Sequence, residues 1–250
     1  NVSSVAIAGH IRPDGDCVGS CLATYNYITT YYPQVKVCVF LEPIPRIFQF
    51  LQGADKILEA KDSEESFDLC IVLDCGDATR LGDAVKFFET AKRTICIDHH
   101  VSNQAFADKN KIVADASSAS ELVYDSMDPA KITKEIAECI YTGMIHDTGV
   151  FQYSCTSSHT MEVAGCLMDL GIDYPTIVDK TFYEKTFAQN KILGQALLKS
   201  RLYEDAECIA SVITQEEMAE FSVLPKHLDG IVSQLRMTKE AEVAIFLYGL

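Results

Sequence analysis

The sequence has no CxxC pair, no long apolar run, no excess of positive charge and no low-complexity stretch, and each absence removes a class of protein. Ten cysteines without a CxxC spacing do not read as a zinc framework. Cys38, Cys70 and Cys96 sit inside apolar, strand-like runs, where a reduced cysteine behaves as a small hydrophobe. Free thiols in a reducing compartment are the reading that follows. No apolar run approaches the roughly 18 residues of a membrane span. No charged-then-apolar leader opens the chain, so a cytoplasmic protein with no membrane partner is expected. The formal net charge of −15 argues against a protein that coats long nucleic acid through a basic surface. That charge is uneven, −13 over residues 1–184 and −2 over residues 185–250. The split is compatible with a metal centre in an acidic body, and equally with ordinary solvated helices. No Met precedes Asn1, and the chain closes at Gly249-Leu250 within a strand-like run, so residues are expected to be missing from both ends.

What is there is a globular composition, 48% hydrophobic and 23% charged over 250 residues, enough for one large domain and a smaller one. Short apolar runs end in turn or polar residues at 5–9, 35–41, 69–74, 94–98 and 111–114. Between them lie helical patterns at 18–32, 83–92 and 118–127. Alternating strands and helices predict an α/β fold, a parallel sheet with helices on both faces. Residues 131–153 continue as helix into "MIHDTGVFQY", and further helices run to about residue 200. The pattern then changes: strands are expected at 201–203, 208–214 and 243–248, with helices at 216–221 and 227–236.

Ligands of such a sheet lie at the carboxyl ends of its strands. Four polar segments fall at that edge or beside it. "GHIRPDGDCVGS" carries His10, Asp14 and Asp16 within a few residues and opens a helix at Gly19-Ser20, reading either as part of a metal site or as a plain strand-to-helix turn. "IVLDCGD" ends a strand at Asp74, a candidate bridging carboxylate or a helix cap. "CIDHHVSN" places Asp98, His99 and His100 side by side in a chain with only six histidines. "HDTG" puts Asp147 near a helix C-terminus, where an anion opposes the helix dipole. Carboxylates brought together without cations repel until one takes up a proton. Divalent metals remove that conflict, and mixed imidazole and carboxylate ligands suit Mn²⁺ and related first-row ions.

These four segments, in this order, resemble the motifs of the DHH phosphoesterase superfamily, and most of all its bacterial oligoribonuclease (nanoRNase) and phosphoadenosine phosphate phosphatase group. The resemblance implies two divalent ions, most naturally Mn²⁺, with Mg²⁺ or Co²⁺ as alternatives. His10, Asp14 and Asp74 would hold one ion, and Asp16, Asp74, His99 and Asp147 the other, with Asp74 bridging. His100 would face the scissile phosphate as a catalytic contact, and Asp98 would orient a ligand from outside the metal sphere. It further implies a catalytic domain over residues 1–185, a connecting helix at 186–200, and the start of a smaller α/β substrate-binding domain at 201–250. The Gly-Gly-Gly-His signature of that smaller domain is not reached before Leu250. His146 stands where the family has a small polar residue and is given no role.

The activity so implied is metal-dependent hydrolysis of short oligoribonucleotides to nucleoside monophosphates, of phosphoadenosine phosphate to AMP, or of both. The acidic balance fits short RNA or a phosphorylated nucleotide, and not a long duplex. A cyclic or linear di-AMP phosphodiesterase would use the same ligands. A pyrophosphatase would be expected to show a basic cluster after residue 185, and a processive single-strand exonuclease an extended basic groove. A non-catalytic nucleotide-binding sensor would have lost ligands, whereas all are present. The oligomeric state is open, with a homodimer among the arrangements.

Overall fold

The computed structural model describes residues 2–203, 205 and 207–249. Asn1 and Leu250, the outer limits of the expected domains, lie outside the described residues. The chain forms two compact units, Asn1–Tyr183 and Glu184–Leu250.

In the first unit six strands run in the order β3-β2-β1-β4-β5-β6. They are β1 (Ser4–Ala8), β2 (Lys36–Phe40), β3 (Ile57–Leu58), β4 (Leu69–Leu73), β5 (Thr94–Asp98) and β6 (Lys109–Ile112), and every pair is parallel. Apolar side chains on both faces explain why the central strands read as unbroken hydrophobic runs. Val5 and Ile7 of β1, with Ile71 and Leu73 of β4, enter one core. Ala6 and Ala8, with Cys70 and Val72, enter the other beside Phe40, Phe67 and Phe87. The two-residue β3 has too few residues to show a period, and the sequence reading did not find it. Strand order reverses between β1 and β4, so the carboxyl ends of these neighbours flank the topological switch point at which α/β sheets bind ligands.

Helix α1 (Gly15–Tyr31) starts on Asp14, whose side chain accepts from the backbone N–H groups of Asp16 and Cys17. Its end falls just before Pro33, which disfavours helix at the residue preceding it. Short helices α2 (Val85–Thr90) and α3 (Ala119–Tyr124) precede α4 (Lys134–Asp147). Two glycines bring α1 and α4 together: a Cβ on Gly19 would lie 2.5 Å from the Cys139 carbonyl oxygen, and one on Gly143 would lie 2.7 Å from Asp16 Oδ1. Helices α5 (Ser158–Asp169) and α6 (Tyr174–Val178) follow.

The second unit opens with α7 (Phe187–Lys199), followed by β7 (Arg201–Tyr203) and β8 (Cys208–Ile213), then α8 (Gln215–Glu220), α9 (Ile231–Arg236) and β9 (Val243–Tyr248). Strand β8 pairs antiparallel with β7 and parallel with β9. The helix expected as a connector contributes Ile192 and Ala196 to this unit's core, against Ile209, Ile213 and Leu235. No helix of the described residues is long and apolar enough to cross a membrane.

Candidate metal centre

Every site residue singled out in the sequence lies in the first unit, at the carboxyl edge of β1, β4 and β5 or on the helices beside it. Asp74 follows β4 directly, with φ of +50°. This left-handed conformation costs a non-glycine residue about 1 kcal/mol, and such strain collects at functional sites. Asp74 is only 2% exposed, and its Oδ1 has no hydrogen-bond partner among the described residues. Its two oxygens face different ways. Oδ2 lies 3.4 Å from His10 Nε2, whereas Oδ1 lies 3.7 Å from both His99 Nε2 and His100 Nδ1.

Around His10, Asp14 Oδ2 lies 3.6 Å from Nε2 while Asp14 Oδ1 caps α1. One carboxylate therefore caps the helix, as a plain strand-to-helix turn would, and also faces His10. Around His99, Asp147 Oδ2 lies 2.9 Å and Asp16 Oδ2 3.9 Å from Nε2. Asp147 is the last residue of α4, and its partner is this imidazole. Asp16 is fully buried, and its carboxylate accepts from the Ala119 N–H at 2.6 Å and the Ser120 N–H at 2.9 Å, at the start of α3.

The ring nitrogens are already allotted. Nδ1 of His10 lies 2.8 Å from the Ile11 carbonyl, and Nδ1 of His99 lies 3.3 Å from the Ala116 carbonyl. A ring that donates through Nδ1 to a carbonyl turns an Nε2 lone pair toward the carboxylates, the arrangement of metal-ligating histidines. His100 differs, because its Nδ1 meets Asp98 Oδ1 at 2.7 Å. Asp98 is fully buried, and its Oδ2 accepts from Asn103 Nδ2 at 2.7 Å. Asp98 thus holds His100, the expected catalytic contact.

Charge crowding shows in the proton affinities. Burial opposes protonation of His10, but hydrogen bonds to Asp14 and Asp74 outweigh it and push its pKa up to about 11. His99 is likewise pushed up to about 9, burial being overcome by Asp147 and Asp16. Asp16 rises well above the carboxylate range through burial and the charges of Asp74 and Asp147; Asp74 rises through burial, partly offset by His10. Asp98 falls, because its bonds to His100 and Asn103 overcome burial, and its bond raises His100. Protons hold together what divalent cations would hold better. With the unpartnered Asp74 oxygen and the two preset imidazoles, the donor set fits divalent ions. Among the described residues, three groups place ligand atoms within 4.8 Å of one another: His10, Cys17 and Asp74; Asp74, His99 and His100; and Asp16, His99 and Asp147.

The sequence reading missed three contributors. Asn103 stood inside "CIDHHVSN", three residues beyond His100, and its offset from Asp98 was a usable signal. The α3 amides that grip Asp16 lie more than a hundred residues along the chain, where no local pattern pairs them. Cys17 was read only as one cysteine among ten. His146, given no role, packs its ring against Phe48 and Phe182 at centroid distances of 5.0 and 5.8 Å.

The parallel sheet carries, at its switch point, imidazole and carboxylate groups that could hold a metal ion, and comparison with known proteins names the class. The DHH family, N-terminal domain, matches residues 4–144, and the chain belongs to that family. It is a phosphoesterase, a hydrolase. It is 30% identical to the probable bifunctional oligoribonuclease and PAP phosphatase NrnA of Streptococcus mutans, across 84% of this chain and 72% of that one. With the bifunctional oligoribonuclease and PAP phosphatase NrnA of Bacillus subtilis, identity is 27% across 87% of this chain and 68% of that one. The crystal structure of an exopolyphosphatase-related protein from Bacteroides fragilis superposes with a TM-score of 0.89 at 27% identity, covering 96% of this chain and 74% of that one.

Proposed function

We propose that this chain is a two-metal-dependent phosphoesterase that hydrolyses short oligoribonucleotides to nucleoside monophosphates and phosphoadenosine phosphate to AMP. The observation that carries the reading is Asp74: a buried carboxylate with one oxygen toward His10 and the other, unpartnered, toward His99 and His100. The names of the Streptococcus and Bacillus relatives support the substrate class.

His10, Asp14 and Asp74 would hold one ion, and Asp16, Asp74, His99 and Asp147 the other. Manganese suits these donors, with magnesium or cobalt as alternatives. Bound there, two dications supply Lewis-acid stabilisation of the phosphoryl oxygens and a nucleophilic water near neutral pH. The protein's own contribution centres on His100. Its Nδ1 is held by Asp98 and Asp98 is held by Asn103, which leaves Nε2 to meet the phosphate. From there it stabilises developing charge or protonates the departing ester oxygen. Asp98, buried and ionised, keeps that ring in one orientation and favours its protonated form.

The acidic chain offers little counterion release from a long polyanion, so affinity comes from the metal centre and a few neighbouring contacts. The test is product analysis with Mn²⁺, with and without chelator, on RNA of increasing length, phosphoadenosine phosphate, linear and cyclic di-AMP, and pyrophosphate. Turnover is expected to be highest on RNA of about two to five residues, to extend to phosphoadenosine phosphate, and to vanish with chelator. Equal rates on a dimer and a long single strand would exclude the short-substrate reading. Cleavage of cyclic di-AMP alone would replace it with a cyclic-dinucleotide phosphodiesterase.

A further inference from the structure

We propose that Cys17 is a thiolate ligand to the ion held at His10 and Asp74, so that this centre mixes sulfur with imidazole and carboxylate donors and favours softer divalent ions such as Zn²⁺ and Co²⁺. The inference rests on the metal-centre reading above and concerns which donors complete it. Cys17 is fully buried in the first turn of α1, where its backbone N–H donates to Asp14 Oδ1, so the residue is anchored to a ligand of the same ion. Its Sγ, His10 Nε2 or Nδ1, and an Asp74 oxygen lie within 4.8 Å of one another. Since His10 Nδ1 is committed to the Ile11 carbonyl, the imidazole lone pair left for this group is that of Nε2.

Two observations separate this thiol from the buried apolar cysteines of the sheet. Asp74, 2% exposed, turns its Oδ2 toward His10 Nε2 at 3.4 Å, so a buried carboxylate and a buried imidazole already share this space with the thiol. Gly9 leaves room for the sulfur at this spot, because a Cβ there would sit 2.3 Å from Cys17 Sγ. On metal uptake the S–H bond breaks, the proton passes to solvent and the sulfur–metal bond forms. Thiolate donors raise affinity for zinc and cobalt far more than for manganese or magnesium. The same sulfur would make the centre responsive to trace zinc in a manganese-loaded protein.

The experiment is Co²⁺ titration of the chelator-treated protein, read by absorption. Ligand-field bands in the visible report loading, and a near-ultraviolet sulfur-to-cobalt charge-transfer band reports thiolate ligation. The wild type is expected to show both. Cys17→Ala should keep the visible bands and lose the charge-transfer band, and its zinc-over-manganese preference should fall by on the order of tenfold or more. Cys17→Ser should behave like Cys17→Ala, and guards against a packing defect in the smaller variant. Cys21→Ala, one turn further along α1, should keep both signals. Visible bands without a charge-transfer band in the wild type, or a charge-transfer band that survives in Cys17→Ala and Cys17→Ser, overturns the sulfur ligand alone. No cobalt uptake at all overturns the metal-centre reading with it.

Discussion

Asp74 and the two histidines behind Asp98 carry most of the meaning at the scale of single residues. Asp74 has a left-handed backbone at the end of β4 and turns one oxygen toward His10 and the other toward His99 and His100. Asp74→Ala is therefore expected to lower metal occupancy at both positions and abolish turnover, whereas Asp147→Ala should empty chiefly the position at His99. Metal analysis of the purified variants decides it, and a full pair of ions in Asp74→Ala would rule out bridging. The adjacent histidines should separate in the same way. His100 is held by Asp98, so His100→Ala should keep its metals and lose turnover by roughly 10²- to 10⁴-fold. His99→Ala should lose metal at one position, since its Nε2 faces Asp147 and Asp16. Equal metal loss in the two variants would refute this division of labour.

Secondary-structure elements matter here through how closely they approach. Helices α1 and α4 pack near enough for Gly143 to sit against Ser120 and Asp16, and a Cβ there would lie 2.0 Å from Ser120 Oγ and 2.7 Å from Asp16 Oδ1. Gly143→Ala must push aside either α3 or the Asp16 carboxylate that the α3 amides grip. It is expected to destabilise the protein by about 1–3 kcal/mol and to weaken metal retention. Gly165, inside α5, has nothing within 4 Å of where a Cβ would stand. Gly165→Ala should therefore be neutral or stabilising by up to about 1 kcal/mol, from helix propensity alone. Thermal melting with metal titration compares the two; equal destabilisation would show that crowding at Asp16 is not the cause.

Over the whole molecule, the raised proton affinities of the centre link folding, pH and metal. Their carboxylate neighbours push His10 up to about 11 and His99 up to about 9 when folded, against about 6.5 in an unfolded chain. The stability they contribute without metal is fully present below about pH 6.5 and is lost as pH rises through the folded values. Metal binding displaces the same protons, so affinity rises with pH. The chelator-treated protein is therefore expected to melt lower at pH 9 than at pH 6.5, while the gain in melting temperature from added Mn²⁺ grows over that range. Calorimetry in buffers of different ionisation enthalpy should register protons released on metal uptake. A melting temperature of the chelated protein that rises from pH 6.5 to 9, or metal binding without proton release, would contradict this account.

The amino-acid order was enough to place a parallel sheet between helices and to mark His10, Asp14, Asp16, Asp74, Asp98, His99, His100 and Asp147. Buried parallel strands must be apolar throughout, and their polar ends then stand out against them. Family motifs in register supplied the rest of that list. The partners were another matter. Asp98 holding His100 and Asn103 closing the Asp98 carboxylate are local to one loop, but the α3 amides that hold Asp16 and the approach of Cys17 to Asp74 join distant segments. Such pairings depend on strand order and on how closely helices approach, which no periodicity along the chain encodes. The order of β1 beside β4, with Gly19 and Gly143 drawing α1 onto α4, turned separate polar residues into one centre.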